Sequence, residues 1–234
     1  MTHRPRALVT GANKGIGREV ARRLVQGGYF VWVGARDPAR GQEAAQALGP
    51  GSRFVQLDVT DDSSIAAAVA VVVDAGGLDV LVNNAGINVT DDPEYPREAL
   101  RALFDVNLFG TVAISYAFLP ALQTSSAPRI VNVSSDLGSF ARATDPESAY
   151  FHLRLIGYPA SKAALNMATV QLAKRLDDMG VRINAVNPGF TATDLNDHRG
   201  TQSVEEAAEV VVQLAMQEAG PTGAFFEAGG QAPW

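Results

Sequence analysis

The chain has 234 residues, 47% of them hydrophobic and 19% charged, enough for one substantial core and too few for two. The formal net charge is -6, with Lys and Arg scattered along the chain, which argues against a nucleic-acid surface and a polybasic membrane patch. Cysteine is absent, so disulfides, thiolate metal sites and a cysteine nucleophile are excluded.

Short apolar runs alternate with helical patterns from one end to the other. The basic start, with Arg4 and Arg6, leads into an apolar run too short for a signal-peptide core. Ala7 to Val9 reads as a first strand, followed by the Gly-rich Thr10-Gly11-Ala12-Asn13-Lys14-Gly15-Ile16-Gly17. A helix with Val20, Leu24 and Val25 as its buried stripe stops at Gly27-Gly28. Tyr29 to Val33 is a second strand, Pro38 to Leu48 a second helix and Phe54 to Leu57 a third strand. The next helix begins near Asp61-Asp62-Ser63, where acidic residues suit a helix N-terminus. Its most apolar part, Ile65 to Val73, is about half the length a membrane helix needs.

Asp79 to Val82 forms a fourth strand, Pro96 to Leu122 a long helical region and Arg129 to Val133 a fifth strand. Tyr158 to Met179 is helical, with Leu165, Ala168, Leu172 and Leu176 as its core stripe. Val181 to Val186, a helix over Val204 to Ala219 and a short strand over Ala224 to Phe226 complete the series. The pattern predicts a single α/β domain over residues 1–234, a doubly wound Rossmann sheet of about seven parallel strands with helices on both faces. A soluble, cytoplasmic protein is expected, with neither nucleic acid nor membrane as a partner.

Chemistry concentrates after the strands. Gly11, Gly15 and Gly17 let backbone approach a pyrophosphate at a helix N-terminus. After the second strand, Gly34-Ala35-Arg36 puts a cation where a carboxylate would select a free ribose 2′-hydroxyl. Lys14 can reach the same place, so the pair favours NADP over NAD, while Asp37 is assigned to capping the helix at Pro38. Tyr158 and Lys162 stand four apart on one helix face, where an ammonium can make a phenol a better acid–base group. Ser134-Ser135 ends the fifth strand and can serve either as a carbonyl-binding hydroxyl or as a turn cap. Asn83-Asn84-Ala85-Gly86 ends the fourth, and Asn107 sits mid-helix, an unfavourable place unless its amide has a partner. No His, Asp and Glu cluster has metal-ligand spacing, so no metal is expected. His152 and His198 read as surface or pocket-wall residues, and His3 as part of a tail.

In their shared order and spacing, these motifs, with Asp58-Val59 and Asn187-Pro188-Gly189, resemble the short-chain dehydrogenase/reductase family over almost the whole chain. Asn13-Lys14 within the Gly-rich turn resembles the carbonyl-reductase branch. The resemblance implies an NADPH-dependent reductase of aldehydes or ketones. Tyr158 would protonate the carbonyl oxygen as hydride arrives from the nicotinamide, and Ser135 would hold that oxygen. Lys162 would bind the nicotinamide ribose and depress the Tyr158 pKa, and Asn107 would position a water relaying protons to Lys162. By the same resemblance Gly11, Asn13, Lys14, Gly15, Ile16, Gly17 and Arg36 bind the cofactor's phosphates. Asp58, Val59, Asn84, Ala85 and Gly86 line its adenosine, and Pro188, Gly189, Thr191 and Thr193 its carboxamide. An NADP(H) sensor with little turnover is the alternative, disfavoured because a sensor needs no proton relay.

Two departures from the family pattern stand out. Between Ser135 and Tyr158 lie Asp136 to Gly157, roughly ten residues more than usual. This segment can wall the substrate pocket, and it can also obstruct the helix-to-helix interface of a homo-oligomer. It contains a second tyrosine, Tyr150, with Arg154 rather than Lys four residues on. After Gly189, Phe190 to Thr201 form only a short lid, which suggests an open site. Trp234 is assigned to sealing either the core or an interface.

Overall fold

Side-chain alternation along the strands decides which helices cover which face of the sheet. The computed structural model describes residues 4–89 and 96–234; His3 lies outside them. In chain order the elements are β1 (Arg6–Thr10), α1 (Gly15–Gln26), β2 (Phe30–Ala35), α2 (Pro38–Leu48), β3 (Ser52–Gln56) and α3 (Asp62–Asp74). There follow β4 (Val80–Asn83), α4 (Arg97–Phe104), α5 (Thr111–Ala117), α6 (Leu119–Leu122), β5 (Arg129–Val133) and α7 (Phe140–Thr144). The chain continues through α8 (Gly157–Leu176), β6 (Arg182–Val186), α9 (Val204–Met216), β7 (Phe225–Glu227) and β8 (Gly230–Gln231).

Ala7 and Val9 of β1, Val31 and Val33 of β2, and Val80 and Val82 of β4 pack on one face with Val20 and Leu24 of α1 and Val211 and Leu214 of α9. The intervening Leu8, Trp32 and Leu81 turn to the other face, where they meet Ile65 and Val72 of α3, Ile114 of α5 and Leu172 and Leu176 of α8. A period of two thus builds two cores from one sheet. The stripe of α8 includes buried Thr169 in place of the expected Ala168.

The strand order is β3-β2-β1-β4-β5-β6-β7-β8. All pairs from β3 to β7 are parallel, and β8 adds an antiparallel edge. The sheet therefore has eight strands rather than about seven, because two residues turn back after β7, too few to leave a sequence pattern. Strand order reverses at β1, with β2 on one side and β4 on the other. This is the switch point at which ligands enter such sheets, at the carboxyl ends of the strands.

The region expected as one long helix, Pro96 to Leu122, is broken. A π-helical stretch, Asp105–Gly110, separates α4 from α5, and α6 starts afresh after Phe118. Asp37 caps α2 as expected, accepting from the Arg40 N–H at 3.0 Å. Trp234 lies on the core side of its two alternatives: its ring stacks on that of buried Phe225, centroids 5.3 Å apart.

Candidate active site

The Gly-rich turn leaves β1 at Thr10, a buried residue whose hydroxyl accepts from the Asn84 and Ala85 N–H groups at 3.0 and 2.9 Å. The Asn84 amide donates back to the Thr10 carbonyl at 2.9 Å. The ends of β1 and β4 are thereby laced together. Gly11 adopts φ +62°, and a Cβ there would stand 3.0 Å from the Ala85 Cα. At Gly17 a Cβ would run into the Asn84 side chain. Both positions need glycine for close approach of backbone to its neighbours. Asn84, Ala85 and Gly86 thus back the turn formed by Gly11, Asn13, Gly15 and Ile16, an arrangement that leaves the N-terminus of α1 facing the switch point.

Arg36 and Asp58 line one cavity of about 350 Å³, together with Gln56, Asp61, Ser63, Ser64 and Ala67. Gln56, Ser63 and Ser64 were not singled out from sequence, since nothing in their local pattern marks them. Asp58 accepts from the Thr60 N–H and hydroxyl at 3.0 and 2.8 Å. Val59 packs over the π-helical stretch, where any side chain on Gly110 would meet it.

Lys14 does not join Arg36. Its ammonium pairs with Asp194 at 2.7 Å, and His198 stands 3.0 Å from the other Asp194 oxygen. These contacts draw the segment after Gly189 against the Gly-rich turn, and Gly15 faces Thr193 there. The segment folds on itself: Ala192 N–H donates to Gln202 O at 3.0 Å and Thr201 N–H to Phe190 O at 2.8 Å. The Gln202 amide donates to the Thr191 hydroxyl at 3.0 Å and to the Pro188 carbonyl. Pro188, Gly189, Thr191 and Thr193 are thus held in one compact strap.

The four residues expected to do chemistry gather at the ends of β4, β5 and α8. Lys162 is 4% exposed, and its ammonium donates to the Val133 carbonyl at 2.9 Å. It lies 5.7 Å from the centroid of the Tyr158 ring. The Ser135 hydroxyl accepts from the Leu137 N–H at 3.2 Å, capping the turn after β5, and lies near enough to the Tyr158 phenol to lower its pKa. A Cβ on Gly86 would stand 3.3 Å from the Asn107 amide oxygen and 3.7 Å from the Lys162 ammonium, so these two residues meet around one glycine. Asn107 is fully buried; it accepts from the Ile87 N–H at 2.9 Å and donates to the Ile87 carbonyl at 3.0 Å and the Ser161 hydroxyl at 3.1 Å. The π-helical stretch delivers that amide inward, and these bonds satisfy an Asn that an ordinary helix interior disfavours.

The turn that carries Ser135 is braced through its neighbour Ser134 by Asn166 and Gly138, two residues that sequence reasoning passed over. Ser134 donates to the Asn166 amide oxygen at 2.5 Å, and the Asn166 nitrogen donates to the Gly138 carbonyl at 3.1 Å. Gly138 lies so near the Lys162 backbone that a Cβ would stand 2.7 Å from it. A buried Asn in the apolar stripe of α8 was the signal that could have found this brace. Behind it, the Asn83 amide donates to Ser115 and Asn132 at 3.0 and 2.9 Å, and Asn132 to Thr169 at 2.9 Å.

Electrostatics depart from expectation at one point. Burial pushes the Tyr158 phenol up to about 12, opposed by the nearby Ser135 hydroxyl. The Lys162 ammonium was expected to depress it, but it is directed to the Val133 carbonyl, and burial brings Lys162 itself down to about 8. Tyr158 is therefore a protonated donor across the neutral range. Among the described residues no group of His, Asp and Glu is gathered to hold a metal ion, and no helix is long and apolar enough to cross a membrane.

A fold with this switch point and this Ser, Tyr and Lys cluster is that of a nucleotide-dependent oxidoreductase. The family model for short chain dehydrogenases matches residues 5–203, and the chain belongs to the short-chain dehydrogenase/reductase family. It is 36% identical to the short-chain dehydrogenase anuI of Penicillium roqueforti, over 92% of this chain and 89% of that protein. It is 33% identical to (-)-isopiperitenone reductase of Mentha piperita, over 94% and 95%. The structure of NADPH-bound carbonyl reductase from chicken fatty liver aligns over 100% of both chains with a TM-score of 0.86 and 29% identity. As a member of this family the chain is an oxidoreductase that binds a nicotinamide cofactor.

The burial of Lys162 predicts a stability signature. Its folded pKa, about 8, lies below the ordinary lysine value of 10.5, so the native state sheds the proton first. Between those values the unfolded chain binds more protons, and stability rises with pH. Below about 8 both states are charged, and the cost of burying the ammonium is constant. Denaturant unfolding of the cofactor-free protein should show wild type gaining on Lys162→Met by on the order of 3 kcal/mol as pH rises through that window. A flat difference would show that Lys162 titrates normally.

Proposed function

We propose that this oxidoreductase reduces the carbonyl of an aldehyde or ketone to an alcohol, using NADPH. The observation that carries the reading is the meeting of Ser135, Tyr158 and Lys162 at the switch-point ends of the strands. The cofactor supplies a hydride to the carbonyl carbon. The Ser135 hydroxyl, next to the Tyr158 phenol, would hold the carbonyl oxygen against it. Tyr158 donates its proton to that oxygen as negative charge develops there, general acid catalysis by a group that is protonated at neutral pH. Lys162, held on the Val133 carbonyl at 2.9 Å, would hold the nicotinamide ribose. Asn107 fixes the segment after β4 against α8, and is suited to placing a water toward Lys162.

The residues fit the cofactor. The Gly-rich turn and the N-terminus of α1 suit a pyrophosphate, and Asn84 to Gly86, Asp58 and Val59 border the adenosine side. Arg36 in its cavity favours a 2′-phosphate and so NADP over NAD. Lys14, in an exposed ion pair with Asp194, stands in the Gly-rich turn and would add a second cation for that group. Pro188, Gly189, Thr191 and Thr193 are placed to embrace the carboxamide. The substrate is a small molecule, and a cytoplasmic setting suits NADPH-driven reduction. A sensor with little turnover is the less favoured reading, because it gives the Ser135 and Tyr158 pair no task.

Tyr158→Phe should leave NADPH affinity within about twofold and lower kcat by about a hundred- to ten-thousand-fold, the range for loss of a general acid. Cofactor fluorescence and steady-state assays against aldehydes and ketones check this; retained turnover would move the acid elsewhere. Arg36→Ala should weaken NADPH about ten- to a hundredfold, the worth of a charge-assisted bond, and leave NADH nearly unchanged. Equal losses for the two cofactors would place the 2′-phosphate elsewhere.

A further inference from the structure

The segment between Ser135 and Tyr158 is tied at a knot that the reductase chemistry leaves unused. Asp136, directly after Ser135, is 7% exposed. One of its carboxylate oxygens accepts from the Tyr150 hydroxyl and lies 3.1 Å from the Arg142 guanidinium. Arg142 also forks onto Glu227 of β7, with bonds of 2.7 and 2.6 Å. The backbone joins in: Asp136 N–H donates to the Asn187 side-chain oxygen at 3.3 Å, which also accepts from Gly189 N–H at 3.0 Å. The Asn187 nitrogen reaches Glu227 at 3.5 Å. Asp136 thus binds together the end of β5, the inserted segment through its carboxylate, and the Asn187-Pro188-Gly189 turn through its backbone N–H.

Tyr150 marks where that segment reaches back. Upstream of it, α7 is fastened to the chain end: Ser139 donates to the Pro233 carbonyl at 3.0 Å and Ala141 N–H to the Trp234 carbonyl at 2.9 Å. Downstream, Phe151 to Leu155 forms turns without regular structure up to α8, with Leu153 N–H returning to the Tyr150 carbonyl at 3.1 Å. Closing the loop at Tyr150 leaves a much shorter free span before Tyr158, and a shorter span samples fewer conformations. That span presents apolar Leu153 and Ile156, 46% and 60% exposed, immediately before Tyr158.

We infer that Asp136, Arg142 and Tyr150 are positioning residues that clamp the substrate wall beside Tyr158 and set its preference for bulky apolar ketones over small aldehydes. The inference rests on the reductase reading. A buried carboxylate with a neutral and a cationic partner suits this task, because losing either partner leaves charge without full compensation. Tyr150 is itself held protonated, its phenol pushed up to about 12 by burial and by Asp136, so it remains a donor to the carboxylate at working pH.

The test uses Tyr150→Phe, which removes a single hydroxyl, and Arg142→Lys, which keeps the charge. Hydrogen–deuterium exchange of the protein without substrate should quicken over residues 145–157 in Tyr150→Phe and stay unchanged in β1 and α1. With a bulky cyclic ketone, kcat/KM should fall by about tenfold through KM, while kcat on a small linear aldehyde and NADPH affinity hold within about twofold. Arg142→Lys should recover part of the ketone preference relative to Arg142→Gln. Wild-type exchange in Tyr150→Phe, or equal losses on both substrates, would overturn the clamp. If wild type turns over neither substrate, the reductase reading fails, and the exchange measurement alone still supports or overturns the clamp.

Discussion

A buried ammonium constrains this site more than any other single group. Lys162 is almost wholly removed from water and gives a 2.9 Å bond to the Val133 carbonyl. A cation in that setting is tolerated only where hydrogen-bond acceptors replace its hydration. The last residue of β5 must therefore lie against α8, and Gly138 must lack a side chain so that the turn after β5 can close against the lysine's backbone. Asn107, Ser135 and Tyr158 take their places in that enclosure. The same burial that makes the lysine costly keeps Tyr158 protonated, the state a proton donor needs.

Behind the enclosure the sheet supplies rigidity through polar groups rather than apolar contact alone. Asn83, Asn132, Ser115 and Thr169 form a chain of bonds beneath the strand ends. Asn132 is bonded through both its oxygen and its nitrogen and Asn83 through its nitrogen, so the network fixes relative strand and helix positions. Ser134, Asn166 and Gly138 continue this logic up to the turn that carries Ser135. The Asp136 cluster then extends it outward, from the end of β5 to the inserted segment. In the proposed reading, reaction and selectivity would rest on adjacent residues, Ser135 and Asp136.

Much of this was legible from residue order alone. Strand and helix alternation, the two-faced sheet, the Gly-rich turn and the cap at Asp37 all follow from short-range periodicity and local chemistry. Asn107 announced itself as an Asn out of place, although the π-helical stretch that turns it inward broke the assumed helical period. What escaped were contacts made by distant partners. Lys14 meets Asp194, 180 residues away, an ion pair that no local pattern announces. Tyr150 looked only like a tyrosine without its lysine; its partner Asp136 lies across an inserted segment whose path no periodicity describes. The two-residue strand β8 and the buried Thr169 are likewise set by tertiary packing, which short patterns do not encode.

The most direct measurement follows deuterium from C4-deuterated NADPH during reduction of a prochiral ketone, with the product alcohol analysed by mass spectrometry and NMR. Deuterium at the carbinol carbon, in a single configuration and accompanied by a primary isotope effect on kcat/KM, is the expected result. Alcohol formed without the label, or tight NADPH binding with no label transfer to any aldehyde or ketone, would contradict carbonyl reduction at the Ser135 and Tyr158 pair.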